Sequence, residues 1–189
     1  MIKIKKGWIY EAIATTSDPK SNPNAAPMGF YTDDLSSISL KIHKTCKTYE
    51  NVCQTGKLVI NLTDDFELMY KSLFSKQELT YKFDNNVPIL EEIDNYLILK
   101  LLEMKGNGPS DPVHSTFNFE IEKEVLLESY PLVNRANHLI LETLIKAVKP
   151  FDELTDVYLK ENFRVVKKVA PESKHEKLIQ KILDSTINK

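Results

Sequence analysis

The chain has 189 residues and a mass of 21.7 kDa, with 42% hydrophobic and 28% charged residues, the make-up of one globular domain or one domain with an appendage. Such a length buries roughly 70% of the extended-chain surface, so neither disulfide nor metal is needed for folding. A net charge of -2 and a pI near 6.1 give no global drive towards nucleic acid or an anionic membrane, and no apolar run reaches bilayer length.

From the N-terminus, "GWIYEAIATT" (7–16) mixes aromatic and β-branched residues and predicts a first strand. "SDPKSNPN" is a turn-rich loop, "APMGFYT" (26–32) a second strand, Asp33-Asp34 a turn, and "SISLKIH" (37–43) a third strand with alternating apolar residues. Connections this short make the sheet antiparallel. The period then changes. Thr45 or Thr48 can cap a helix with Val52 and Cys53 on its apolar face, and Gly56 suits its left-handed end.

"KLVINL" (57–62) returns to strand, and "TDDFELMYKSLF" (63–74) predicts a short helix capped by Thr63 or Asp64, with Phe66, Met69, Tyr70 and Leu73 at helical spacing. "NYLILKLLEMKG" (95–106) and "STFNFEIEKEVLLES" (115–129) read as two long strands joined by "NGPSDPVH". In the second, Phe117, Phe119 and Ile121 alternate with polar residues, so one face is wet. From Pro131 the pattern is helical: Leu139, Ile140, Leu144, Ile145 and Val148 share a stripe, and 151–163 and 173–187 continue it. The expected class is α+β, with a β-rich domain over 1–130 and a small helical C-terminal domain over 131–189.

Familiar catalytic motifs are missing. His43, His114, His138 and His175 are scattered without metal-ligand spacing, and no GxSxG, Walker A or GxGxxG is present. Asp33-Asp34 and Asp64-Asp65 stand where turns and helix N-termini want carboxylates. Cys46 and Cys53 form no CxxC and predict reduced thiols in a cytoplasmic protein. Two stretches are unusual. "SNPNAAPMGF" (21–30) puts Pro, Gly and small residues at the mouth of a strand, as a β-bulge at a barrel rim would, or as a close approach by a flat ligand would. The helix near Thr48 follows His43, Lys44, Thr45 and Lys47. Free N–H groups, hydroxyls and lysines there suit a phosphate, although a capped surface helix with solvated lysines uses the same residues.

Together, "NAAPMGF" and "KTYENVCQTGKLVINLTDD" resemble the flavin reductase-like proteins of the FMN-binding split-barrel superfamily. Asn24, Ala26 and Pro27 match its Asn-x-Ala-Pro motif; Thr48, Asn51, Thr55, Gly56 and Asn61 match its second motif in order and spacing. "APMG" (26–29) and "NRA" (134–136) are similar to forms in an uncharacterised, mainly archaeal family of that superfamily. The resemblance implies an antiparallel split β-barrel, a homodimer, and FMN near the subunit interface. It implies cofactor contacts from Asn24, Ala25, Ala26, Pro27, Met28 and Gly29 on the strand, from Asn61, and from Thr48 and Asn51 at the helix, with Thr45 and one of two lysines, Lys44 or Lys47, as further candidates for the phosphate.

Small residues let an isoalloxazine approach the backbone, Pro27 makes the strand donor-poor, and Asn24 offers both donor and acceptor. Met28-Gly29 stands where the broader family has an aromatic-Ser pair. The implied activity is that of an FMN-dependent oxidoreductase with a nicotinamide donor. A non-catalytic flavin carrier, store or sensor is the alternative. No catalytic acid or base is identifiable. His114 and Arg135 are secondary candidates, the first for the cofactor edge and the second for a phosphate or carboxylate. A nucleic-acid-binding helical tail would show steep salt dependence, against which the balanced charge argues.

Overall fold

A computed structural model describes residues 2–147 and 153–187. Among the described residues eight strands and five helices follow one another as β1 (Tyr10–Ser17), β2 (Pro23–Tyr31), β3 (Ile38–His43), α1 (Lys47–Thr55), β4 (Lys57–Asn61), α2 (Phe66–Phe74), β5 (Tyr81–Asp84), β6 (Val87–Leu90), β7 (Tyr96–Gly106), β8 (His114–Val125), α3 (Arg135–Ala147), α4 (Glu153–Val169) and α5 (Lys174–Ile187). A single 3-10 turn, Lys76–Glu78, follows α2. Two compact units divide the chain. The first takes residues up to Lys6 and Glu11–Val133; the second takes Gly7–Tyr10 and everything from Asn134.

The first unit is a closed barrel with strand order β1-β2-β3-β8-β7-β4. Alternation sets the inward face: Leu40 and Ile42 of β3, Leu58 and Ile60 of β4, and Phe117 and Phe119 of β8 are fully buried, the last two with rings stacked 6.2 Å apart. β7 and β8 form the longest ladder, from Tyr96↔Val125 to Gly106↔Ser115. The β2–β3 ladder is short by contrast: Phe30↔Leu40 and Tyr31↔Ser39 pair, and Pro23–Gly29 run on beyond them.

A β5–β6 hairpin, which the hydrophobic pattern does not announce, forms a separate two-stranded sheet. Asn85 and Asn86, both at positive φ (48° and 64°), make its two-residue turn, a position that asparagine tolerates better than most residues. Leu90 and Ile93 from this region join Ile13, Ala25, Leu68 and Leu79 in one buried apolar cluster.

Two helix starts differ from expectation. α1 begins after Cys46, which is extended and gives no side-chain cap; Thr48 lies inside the first turn. α2 is capped by Asp65, whose carboxylate accepts from the amides of Glu67 at 2.8 Å and Leu68 at 3.3 Å. Its spacing is helical as expected, but Phe66, Tyr70 and Leu73 are exposed, and Leu68 and Ser72 form the buried face. Periodicity identifies a helix; only the neighbours decide which face they cover. Asp34 behaves as a turn carboxylate, accepting from the amides of Ser36 and Ser37. Those bonds hold its pKa at about 2.

In the second unit, Leu159, Val166, Val169, Ala170 and Ile179 form a dry core with Ala136 and Leu183. Asn134 organises it. Its amide nitrogen donates to the carbonyls of Ile9 and Val169, both at 2.8 Å, while its oxygen accepts from Ala136 at 2.9 Å and so caps α3. Inside the unit, Asn162 donates to the Thr143 hydroxyl at 3.1 Å. Val148 of the apolar stripe, with Phe151 and Asp152, lies outside the described residues. Among the described residues no helix is long and apolar enough to cross a membrane.

Candidate cofactor site

α1 is anchored at its far end by Gly56, in the left-handed conformation at φ 67°, whose N–H returns to the Val52 carbonyl at 2.9 Å. Its near end is open. Tyr49 N–H and Glu50 N–H reach the Cys46 carbonyl at 3.1 and 3.4 Å, whereas the amides of Lys47 and Thr48 find no acceptor among the described residues. Unmet N–H groups and the helix dipole make this end electropositive.

Thr48 is 1% exposed. Its hydroxyl oxygen accepts from the Asn24 side-chain amide at 3.1 Å, which leaves the hydroxyl proton available to donate. The other end of Asn24 accepts from the Lys76 ammonium at 2.8 Å. One asparagine on β2 therefore ties the first turn of α1 to the 3-10 turn after α2. Partial burial pushes the Lys76 pKa below its usual value, and the neighbouring Cys46 thiol pulls the other way. The cation thus stands near the first turn of α1. Sequence reasoning missed Lys76. No local pattern marks it, and only the fold brings it to Asn24.

The lysines and threonine that sequence singled out have other partners. The Lys44 ammonium donates to the Pro112 carbonyl at 2.7 Å, and Lys47 pairs with Glu50 at 3.1 Å. The Thr45 hydroxyl lies 2.9 Å from Nδ1 of His43. All three residues are exposed.

Beside the helix, Asn24 and Ala25 are buried, while Ala26, Pro27, Met28 and Gly29 are half-buried on the part of β2 beyond the β3 ladder. α1 and α2 both pack against this strand. At Ala26 and Gly29 small side chains, and at Pro27 a backbone without an N–H, lower the strand beside the electropositive turn, with Met28 between them.

Asn51, one turn after Thr48, is completely buried; its nitrogen donates to Thr16 Oγ1 at 3.0 Å, and its carbonyl oxygen has no partner. Asn61 is different. It donates to the Ile13 carbonyl at 3.0 Å and Thr15 Oγ1 at 2.9 Å, and accepts from the Leu90 amide at 3.0 Å. Its amide joins β4 to β1 and β6 within the interior.

His43 and His114, far apart in sequence, are cross-strand partners with ring centroids 5.1 Å apart. His114 Nδ1 lies 2.7 Å from Asp111, which also pairs with Lys41. Lys41 first, and His114 after it, hold the Asp111 carboxyl well below the usual carboxylate range. Arg135 opens α3 in the second unit and is exposed.

A family model described as the N-terminal domain of a protein of unknown function (DUF447) matches residues 10–128. Among solved structures, an FMN-bound protein of Methanosarcina mazei, assigned to DUF447, is 21% identical at a TM-score of 0.56, with 96% of each chain covered. A split-barrel protein of Shewanella frigidimarina is 17% identical at a TM-score of 0.56, covering 65% of this chain and 68% of its own. An NADH:FAD oxidoreductase of Streptomyces globisporus is 10% identical at a TM-score of 0.55, covering 67% of this chain and 76% of its own. At these identities the likeness establishes the flavin reductase-like split barrel as the fold, and the match over residues 10–128 establishes the family: the chain belongs to DUF447.

Proposed function

We propose that this protein binds FMN against β2 and the first turn of α1, and works as a flavin reductase-like oxidoreductase with a nicotinamide donor. The observation that carries the reading is a set of donors: the Thr48 hydroxyl and the Lys76 ammonium, linked through Asn24, beside the amides of Lys47 and Thr48, with Glu50, the acid of that turn, paired with Lys47. Such a set suits a phosphate monoester. The Asn51 carbonyl, buried without a donor one turn on, fits a hydroxyl of the ribityl chain. Bound FMN would supply the hydride chemistry. The chain's own residues bind and orient it. Thr48 and Lys76 hold the phosphate, Asn24 keeps both in place, Ala25, Ala26 and Gly29 leave room for the ring, and Pro27 and Met28 flank it. Lys44, Thr45 and Lys47 form the outer rim of the turn. Asn61 braces β1 and β6 from within.

The barrel, about residues 1–130, is the flavin domain in this reading, and residues 131–189 are an accessory helical domain. Two free cysteines suit a reducing, cytoplasmic setting. A homodimer is part of the proposal, supported by the exposed apolar face of α2. FMN is preferred to FAD because the donor set suits one terminal phosphate. The Streptomyces globisporus protein shows that this barrel also occurs in an enzyme named for FAD, so the residues of the site must decide.

Mass measurement of the heat-released chromophore, followed by NAD(P)H oxidation with excess FMN, tests the reading. Released FMN and multiple turnovers are expected. FMN without turnover would leave a flavin carrier, and no flavin even after incubation with FMN would end the proposal.

A further inference from the structure

The second unit carries a hollow of about 590 Å³ beside α3 and α5, lined by Ile140, Lys174, His175, Lys177, Leu178 and Lys181. None of these residues is acidic, and the volume is that of a small-molecule site. Positions 174, 177 and 181 are three and four residues apart. The three lysines therefore share one face of α5 and follow one another over about 10 Å of its axis. None of their ammonium groups has an ion-pair or hydrogen-bond partner among the described residues. Cations on α4 are treated otherwise: Lys160 pairs with Asp156 and Arg164 with Glu161, both at 2.6 Å. Glu172 and Glu176 border a separate hollow beyond Lys177 and Lys181, and the Glu176 carboxylate is committed to the Glu172 amide at 2.7 Å. Like charges at these spacings weaken a helix, so the grouping costs stability that a bound anion would restore. Ile140, packed against the core of the unit, and Leu178, 39% exposed, supply the apolar part of the lining. His175 completes it, with its ring edge-on to Trp8 at 5.8 Å.

We propose that this hollow binds an organic diphosphate, a ligand with a diphosphate head and an apolar body. Lysine is a compact point charge on a flexible stem, and three in file can follow the oxygens of two linked phosphates. A single carboxylate would leave ammonium groups unmet. Ile140 and Leu178 offer a phosphate nothing and give a hydrocarbon body a surface to cover. A nucleotide fits less well. Apart from His175, whose ring packs against Trp8, the lining has no aromatic face for a base and no amide or carboxylate to read its edge. The site lies wholly within the second unit, goes beyond the flavin reading and does not depend on it.

Calorimetric titration of the full chain with geranyl diphosphate, inorganic pyrophosphate and ADP tests the site. FMN is present in excess throughout, so that the first turn of α1 is not offered as a second phosphate site. Geranyl diphosphate should bind once per chain, about tenfold or more tighter than pyrophosphate or ADP. The double variant Lys177→Ala/Lys181→Ala should weaken it at least about tenfold, two charge-assisted contacts being lost. Leu178→Ser should weaken geranyl diphosphate and leave pyrophosphate unchanged. Lys167→Ala/Lys168→Ala removes as much charge from the same unit outside the hollow and should change neither. All five substituted side chains are exposed, and melting curves check that the variants fold. No binding of geranyl diphosphate, or the same loss in both lysine double variants, would overturn the proposal. Affinity for pyrophosphate or ADP equal to or above that for geranyl diphosphate would overturn it as well, the latter assigning the hollow to a nucleotide. FMN affinity is measured first on the same samples, so failure of this site is distinguishable from failure of the flavin site.

Discussion

Asn24 and Asn61 are both buried amides in the same barrel, and their surroundings differ in one respect. Asn61 is held mainly by main chain: it bonds the Ile13 carbonyl, the Leu90 amide and, besides them, the Thr15 hydroxyl, which leaves its amide committed to the fold. Asn24 bonds only side chains, Thr48 on one side and Lys76 on the other, and both of those still have donors to give. A buried polar group saturated by backbone holds strands together. One that bridges unsaturated donors beside an open helix end is arranged for something else. If the proposed site holds, the two asparagines separate stability from binding, and substitutions should show that separation.

The largest effect is expected from Asn61→Ala. Three hydrogen bonds disappear and the buried Leu90 N–H is left without an acceptor, a loss of about 3 kcal/mol. For a chain of this size that lowers Tm by roughly 6–12 °C. Differential scanning calorimetry measures it, and FMN affinity of the folded protein should barely move. A variant as stable as wild type that had lost FMN would instead put Asn61 in the binding site.

Lys76→Met should do the reverse. It keeps the stem and removes the cation, so stability changes little while FMN affinity falls about tenfold, one charge-assisted hydrogen bond in a water-accessible site. Riboflavin affinity should be unaffected. The same lysine gives a pH dependence. Its pKa is depressed below the usual 10.5, so the cation is lost, and FMN binding weakens, as pH rises through a value lower than that of an ordinary lysine. Fluorescence titrations across alkaline pH should show this fall in wild type and not in Lys76→Met.

Gly56→Ala is expected to have the smallest effect. The added methyl meets no neighbour within 4 Å, but φ of 67° is unfavourable for alanine. The cost is about 1 kcal/mol, with the melting temperature reporting it and FMN affinity lowered only if the fraying reaches the first turn of α1.

Much of this architecture is legible in the residues. Alternation in 37–43 and 115–125 gives β3 and β8, and Gly56 marks the end of α1 before β4. The β5–β6 hairpin is not legible from hydrophobic period because its strands have four residues each, although the Asn85-Asn86 pair is a turn signal that could have revealed it. Nor does helical spacing tell that Phe66, Tyr70 and Leu73 point outward, because that depends on which face the barrel covers. At the site, strand and helix motifs bring Asn24 and Thr48 into view, and their hydrogen bond joins the two. Lys76 is invisible, since nothing in a lone lysine on a 3-10 turn announces an asparagine 52 positions earlier.

Thr48→Val is the sharpest test of the open first turn of α1 as a phosphate site. Valine nearly keeps the volume of threonine and removes the hydroxyl that bonds Asn24. Calorimetric titration of wild type and variant with FMN and with riboflavin should show a loss of about ten- to a hundredfold for FMN, worth roughly 1.5–3 kcal/mol, and almost none for riboflavin, which lacks the phosphate. An equal loss for both ligands would mean that Thr48 only supports the helix, and would contradict the claim.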